Sequence, residues 1–314
     1  MKLLFLGAGA VGGYFGGRLV EAGADLSFLV RPARAARLAR DGLRIVSPAG
    51  DCQLQVRTVT ADALEPVYDL VLLAPKAYDF DDAVDAVAPA IGEQTRILPF
   101  LNGYAHMDVL DRRFGSERVL GGVAHIGATL DEDGTIRHLN NAHSLIAGGR
   151  DPQAQRLAER FIELCAQARF RPMLSPDIVT SLWEKWVMLA TLAGVTTLMR
   201  ASVGEIVATR DGEALIRRLY GECLAVAKAS GVDISEKARS AALGMLTQRG
   251  APTTASMLRD LQAGQRTEHD HVLGDLLARS ERHGFEAPLL SAAYCQLQVR
   301  AAAAGAPAVP SAGA

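Results

Sequence analysis

The sequence predicts an α/β chain in two parts: an N-terminal doubly wound domain over residues 1–174 and an all-helical C-terminal domain over residues 175–300. Three observations lead there. The apolar run Leu3-Leu4-Phe5-Leu6 passes directly into Gly7-Ala8-Gly9-Ala10-Val11-Gly12-Gly13-Tyr14-Phe15-Gly16-Gly17, which reads as a strand, a glycine turn and a helix start. Short apolar runs then alternate with helical stretches up to about residue 174, the pattern of a parallel sheet with crossover helices. From Ser175 to about Arg300 the sequence is helical throughout, and 314 residues with 49% hydrophobic content can fill two cores.

Taking the elements in order, Gly7 permits a tight turn, Gly9 lets a ligand phosphate approach the backbone, and Gly12 lets the helix pack on its strand. Ala10 and Val11 open that helix, whose free N–H groups and dipole favour an anion, and Gly23 supplies its stop. The stretch reads as the pyrophosphate cradle of a Rossmann domain rather than as a bare structural turn. The next strand, Asp25 to Val30, ends without the acid that would hold a ribose 2′-hydroxyl; Arg31 stands there, with Arg34 behind it. A guanidinium fork suits a phosphate, so NADP(H) is the expected cofactor, against the bland alternative of two solvated charges. Val67 to Ala74, Arg96 to Leu101 and Val119 to Ile126 read as buried strands, with a helix from Asp81 to Ile91. Residues 42–60 and 134–149 look like β pieces added to the same sheet. Ser175 reads as the cap of the helical half, with Pro176 at the first helical position. The low-complexity end, 301–314, is expected to be disordered.

Net charge is −2 with 22% charged residues of mixed sign, so neither nucleic acid nor a membrane is an expected partner and a small molecule is. Cys52, Cys165, Cys223 and Cys295 lack CxxC spacing and read as reduced core residues of a cytoplasmic protein. The apolar start is too short for a signal segment and is already used as a strand.

Ligands of open α/β sheets sit at the carboxyl ends of the strands, where Lys76 and Asn102 fall. In the helical half, Lys185 lies between Trp183 and Trp186. Desolvation there would lower its pKa and suit proton donation, while snorkelling past the rings is the alternative. His269 and His271 would point about 200° apart on a helix, so no metal is expected. Ser256 and Glu268 would fall about 120° apart on an unbroken helix, with Gly264 able to break it.

Taken together, GAGAVGGYFGG, Arg31, Lys76-Ala77, Asn102-Gly103, Leu182-Trp183-Glu184-Lys185, and Ser256-Met257-Leu258-Arg259-Asp260 with Thr267-Glu268 resemble the ketopantoate reductases (2-dehydropantoate 2-reductases). The similarity runs from residue 1 to about 300. The resemblance implies a Rossmann domain followed by an all-helical one, with Lys185 and Glu268 as the catalytic residues. Lys185 would protonate the substrate carbonyl oxygen, with NADPH as hydride source. Ser256 and Glu268 would hold substrate, Asn102 would lie by both nicotinamide and substrate, and Arg31 and Lys76 would serve the cofactor with Gly7, Gly9, Ala10, Val11 and Gly12. Where that family usually carries Asn, this chain has Leu189, Ala193 and Thr253. The expected activity is reduction of a 2-oxo acid, ketopantoate first and a bulkier or more apolar relative second, with room left for a homodimer. A 3-hydroxy acid dehydrogenase would want Asn where Leu189 stands, and a non-catalytic NADP(H) sensor would have no use for Lys185 and Glu268.

Overall fold

The structure, a computed structural model, describes residues 1–305, which divide into two compact units, Met1–Leu182 and Trp183 onward. In the first unit the chain runs β1 (Lys2–Leu6), α1 (Ala10–Glu21), β2 (Asp25–Leu29), α2 (Pro32–Asp41), β3 (Leu43–Val46), β4 (Cys52–Leu54), β5 (Arg57–Val59) and β6 (Leu70–Leu73). It continues through α3 (Phe80–Val87), β7 (Arg96–Pro99), α4 (Ala105–Phe114), β8 (Gly121–Leu130), β9 (Ile136–Gly148), α5 (Pro152–Cys165) and β10 (Arg171–Leu174). Five strands form one sheet in the order β5-β2-β1-β6-β7, all parallel. The order reverses direction between β1 and β6, which makes their carboxyl ends the switch point of a doubly wound sheet. Leu3, Phe5, Leu70, Leu72 and Leu98 are fully buried, as continuous apolar strands covered on both faces should be.

The other β pieces do not extend that sheet. Residues 43–46, 52–54, 121–130, 136–148 and 171–174 make a second five-stranded sheet, and of the expected additions only β5 joins the first. Its spine is β9, paired antiparallel with β8 along its length and parallel with β3 at its start and with β10 at its end. The run expected at 119–126 therefore pairs with the first sheet at an isolated bridge between Ile97 and Val119 rather than as one of its strands.

Helix α1 lies between the two sheets, and its glycines explain how. A Cβ on Gly12 would stand 2.6 Å from the Gly7 carbonyl oxygen, and one on Gly16 2.6 Å from the Phe28 ring, both belonging to the first sheet's side. A Cβ on Gly13 would meet Ile136 at 2.3 Å and one on Gly17 would meet Leu43 at 2.5 Å, both in the second sheet. Two adjacent small faces let one helix approach two sheets.

The helical unit begins within α6 (Ile178–Met199) and runs through α7 (Val203–Val207), α8 (Gly212–Ala229), α9 (Glu236–Leu246), α10 (Ser256–Gln262), a π-type turn at Asp270–Gly274, α11 (Asp275–Arg282) and α12 (Pro288–Gly305). The division falls after Leu182 rather than at 174. Ile178 and Leu182 belong to the core that holds Leu4, Val71 and Ile97, and Ile178 fills the space a Cβ would need on Gly121 and Gly148. The cap of α6 is Asp177 rather than Ser175. Its carboxylate accepts from the Thr180 N–H at 3.1 Å and from the Thr180 hydroxyl at 2.6 Å, so Pro176 precedes the cap. By length and composition α6 could cross a membrane, yet 61% of its most apolar stretch is buried inside the protein, as in a core helix. Of the expected tail, residues 301–305 continue α12 and 306–314 lie outside the described residues. Only Cys165 and Cys223 are core cysteines, their thiols pushed up to about 12 by burial; Cys52 is half-buried and Cys295 exposed.

Candidate active site

Four segments of the first unit reach the carboxyl ends of neighbouring parallel strands. After β1 comes the glycine turn. Gly7 sits at φ 82°, held by a 2.8 Å hydrogen bond from its N–H to the Leu29 carbonyl. At Gly9 no atom lies within 4 Å of where a Cβ would stand, and the helix starts directly after it. An open turn followed by the unsatisfied N–H groups of Ala10 and Val11 fits a pyrophosphate.

After β2 comes Arg31, whose exposed side chain leads α2. Arg34, one turn on, does something its spacing did not announce. Its Nη2 donates to the Ala8 carbonyl at 3.0 Å and to the Gly134 carbonyl at 3.4 Å, while its Nε is buried without a hydrogen-bond partner. Desolvation, with Arg37 nearby, lowers the pKa of this guanidinium, and no salt bridge joins it to a carboxylate among the described residues.

Lys76 follows β6 as an exposed residue heading the short turn Ala77–Asp79. Asn102 follows β7, half-buried, before Gly103 at φ 82° and the start of α4. Thus Arg31, the glycine turn, Lys76 and Asn102 come from the ends of β2, β1, β6 and β7, adjacent in that order.

In the helical unit, Lys185 is on α6. Burial pulls its ammonium down to about 8, against the raising influence of Glu268. That influence puts Lys185 and Glu268 in one electrostatic neighbourhood, although Glu268 arrives from a different segment. Gly264, at φ 67°, breaks the chain after α10, so Ser256 and Glu268 do not share a helix. Ser256, half-buried, opens α10, whose preceding Ala255 N–H bonds the Thr196 hydroxyl of α6 at 3.4 Å. Glu268 is buried just before the π-type turn.

Sequence reasoning named His271 and the two tryptophans but did not place His271 beside Glu268, and it passed over Arg279. His271, three residues past Glu268, has its pKa lowered by burial, with Glu268 and Asp275 pulling the other way. The two tryptophans beside Lys185 stand 4.8 Å apart, and the cation over both rings is Arg279, at 5.6 and 5.4 Å. Arg279 pairs with Asp275 at 3.2 Å. A buried lysine of depressed pKa under the influence of a carboxylate has the chemistry of a proton donor. Of the three positions that depart from the resemblance, Leu189 is half-buried, Thr253 is half-buried with its carbonyl accepting from the Val203 N–H at 2.9 Å, and Ala193 is 1% exposed with the Thr197 hydroxyl on its carbonyl. Ala193 is packing, not an open pocket wall.

Comparison with known proteins also takes the chain in two parts. Residues 3–150 match the family described as ketopantoate reductase PanE/ApbA, and residues 177–301 match its C-terminal domain. The uncharacterized oxidoreductase YkpB of Bacillus subtilis (strain 168) is 36% identical over 299 residues, which cover 95% of this chain and 98% of YkpB. The crystal structure of 2-dehydropantoate 2-reductase from Geobacter metallireducens GS-15 has a TM-score of 0.85 at 28% identity, covering 95% of this chain and 99% of that one. D-mandelate dehydrogenase, solved with NADH and anilino(oxo)acetate, has a TM-score of 0.87 at 18% identity over 98% of this chain and 100% of that one, a likeness of fold.

Proposed function

The chain belongs to the ketopantoate reductase family of oxidoreductases, and from that premise we propose that it reduces a 2-oxo acid to the 2-hydroxy acid with NADPH, Lys185 serving as the acid. The observation that carries this reading is Lys185, held near a pKa of about 8 beside Glu268. An ammonium poised there is charged at neutral pH and still a ready donor, which is what carbonyl reduction asks of an acid. When bound, NADPH supplies the hydride. As the carbonyl carbon gains it, charge develops on oxygen; a Lys185 N–H bond breaks, an O–H bond forms, and the neutral amine is left beside Glu268.

The cofactor would be held by the turn Gly7 to Gly12, with Ala10 and Val11 offering N–H groups, and by Arg31, Lys76 and Asn102. The open side of Gly9 and the cationic start of α2 support that assignment. Ser256 and Glu268 would hold the substrate. Ketopantoate is the first candidate. A relative with a larger apolar side chain is the second, favoured by the hydrocarbon of half-buried Leu189.

The test is NADPH oxidation across a panel of 2-oxo acids, with Lys185→Ala alongside. Turnover should fall by about 10² to 10⁴ in the variant while NADPH binding persists. Retention of more than about a tenth of the turnover would exclude Lys185 as the acid.

A further inference from the structure

Trp186 follows Lys185 on α6, is 1% exposed, and donates its indole N–H to the Val272 carbonyl at 2.9 Å. Val272 lies inside the π-type turn Asp270–Gly274, and its own N–H bonds the Glu268 carbonyl at 3.0 Å. Two hydrogen bonds and one peptide step therefore link the backbone that bears Lys185 to the backbone that bears Glu268. Nothing in ordinary core packing asks for this donor, since a phenylalanine would fill most of the same volume without an N–H.

The turn itself is unusual. A π-type turn winds one extra residue into the helix, and such turns concentrate at functional sites. Here it is fastened at several points. Tyr294 of α12 donates to Asp270 at 2.7 Å at its start. Past its end, Arg279 lies against both tryptophan rings and pairs with Asp275, the two side chains being 13% and 15% exposed. The Trp186 bond ties the middle of the turn to α6 next to Lys185.

We propose that Trp186 is a positioning residue, whose indole N–H, by holding the Val272 carbonyl, sets the separation of Lys185 and Glu268. The inference rests on the reading of Lys185 as the acid. A buried hydrogen bond resists displacement because breaking it strands a polar group. If the turn slackens, Glu268 moves, and the lysine loses the attraction that opposes its desolvation.

The experiment compares Trp186→Phe with a protein carrying benzothienylalanine at 186, introduced by stop-codon suppression. The latter keeps the bicyclic shape and lacks the N–H. Both are assayed for NADPH-dependent turnover of the fastest 2-oxo acid on the panel, from below to above the Lys185 pKa. The expected result is a kcat lower by about tenfold or more, a smaller change in KM, and an alkaline limb displaced to lower pH. Turnover and limb equal to those of the unaltered protein, or a lowered melting temperature as the sole change, would overturn the proposal. If Trp186→Phe does not fold, the isosteric protein decides. Lys185→Met, run in parallel, separates the two readings. Turnover retained there removes the acid itself, whereas turnover lost there with an unmoved limb in the 186 variants removes only the positioning role.

Discussion

Arg34 donates a 3.0 Å hydrogen bond to the carbonyl of Ala8, so the helix after the second strand is laced to the glycine turn after the first. The guanidinium is desolvated and its Nε has no acceptor. A cation held this way shapes the loop and adds positive potential beside it, whereas Arg31 stands exposed at the start of α2.

The two arginines should therefore separate by cofactor. Arg31→Ala should raise the Kd of NADPH by about 10²-fold and leave NADH nearly unchanged, as expected for loss of a charge-assisted phosphate contact. Arg34→Met should weaken both cofactors, because the turn itself loses its brace. Fluorescence titration with NADPH and NADH checks this; equal losses in Arg31→Ala would remove that residue from the 2′-phosphate.

Lys185 carries a stability signature of its own. Its folded pKa of about 8 lies below the ordinary value of 10.5, so between those pH values the unfolded chain holds a proton that the folded chain does not. The lysine's contribution to stability therefore rises with pH across that window, and its penalty is present in full below it. Lys185→Met should be more stable than the parent at neutral pH by roughly 1–3 kcal/mol, with the difference shrinking as pH rises toward the upper value. Urea melts of both proteins at several pH values test it. Their difference cancels Cys165 and Cys223, whose raised thiol pKa values tilt stability the other way.

At the substrate end, Leu189→Asn should shift the kcat/KM ratio toward ketopantoate over bulkier 2-oxo acids by about tenfold, the worth of one regained polar contact. Ala193→Asn is a different experiment. At 1% exposure an amide there has no room, and the expected outcome is a fall in melting temperature without a change in preference. A preference moved by Ala193→Asn alone would show that this position does face substrate.

Gly13→Ala tests the double-faced helix. The new methyl group would stand 2.3 Å from the Ile136 Cδ1, the far end of a flexible side chain. Destabilisation of about 1–3 kcal/mol is expected, most of it recovered by Ile136→Val, which retracts that atom. Thermal unfolding of the single and double variants measures both; an unrecovered double variant would place the strain in the backbone.

The strand, glycine turn and helix at residues 2–21 were legible because each conformation there has a residue type that requires it. The second sheet was legible as strands but not as a sheet. Alternating apolar residues at 43–46 and 136–148 announce an extended chain, while the pairing of Ile45 with Ile136 is a long-range choice that no local pattern encodes. The α6 cap went to Asp177 over Ser175 because the helix starts two residues later than proline placement suggested, and a carboxylate can accept both Thr180 donors. Lys185 stood out as a lysine between two tryptophans, and Glu268 through the family resemblance alone. The π-type turn that presents Glu268 did not, since its cause is tertiary: an indole from α6 and a tyrosine from α12 hold it.

The spine role of β9 has a consequence for the order of synthesis. Strand β3 has its parallel partner about ninety residues downstream, and a ribosome adding ~5–20 residues per second leaves it waiting for roughly 5–20 s. During that interval the β3–β4 hairpin exposes Leu43 and Ile45, which are fully covered in the finished fold. Nascent chains stalled between the two strands would be the species most prone to aggregate and most in need of a chaperone.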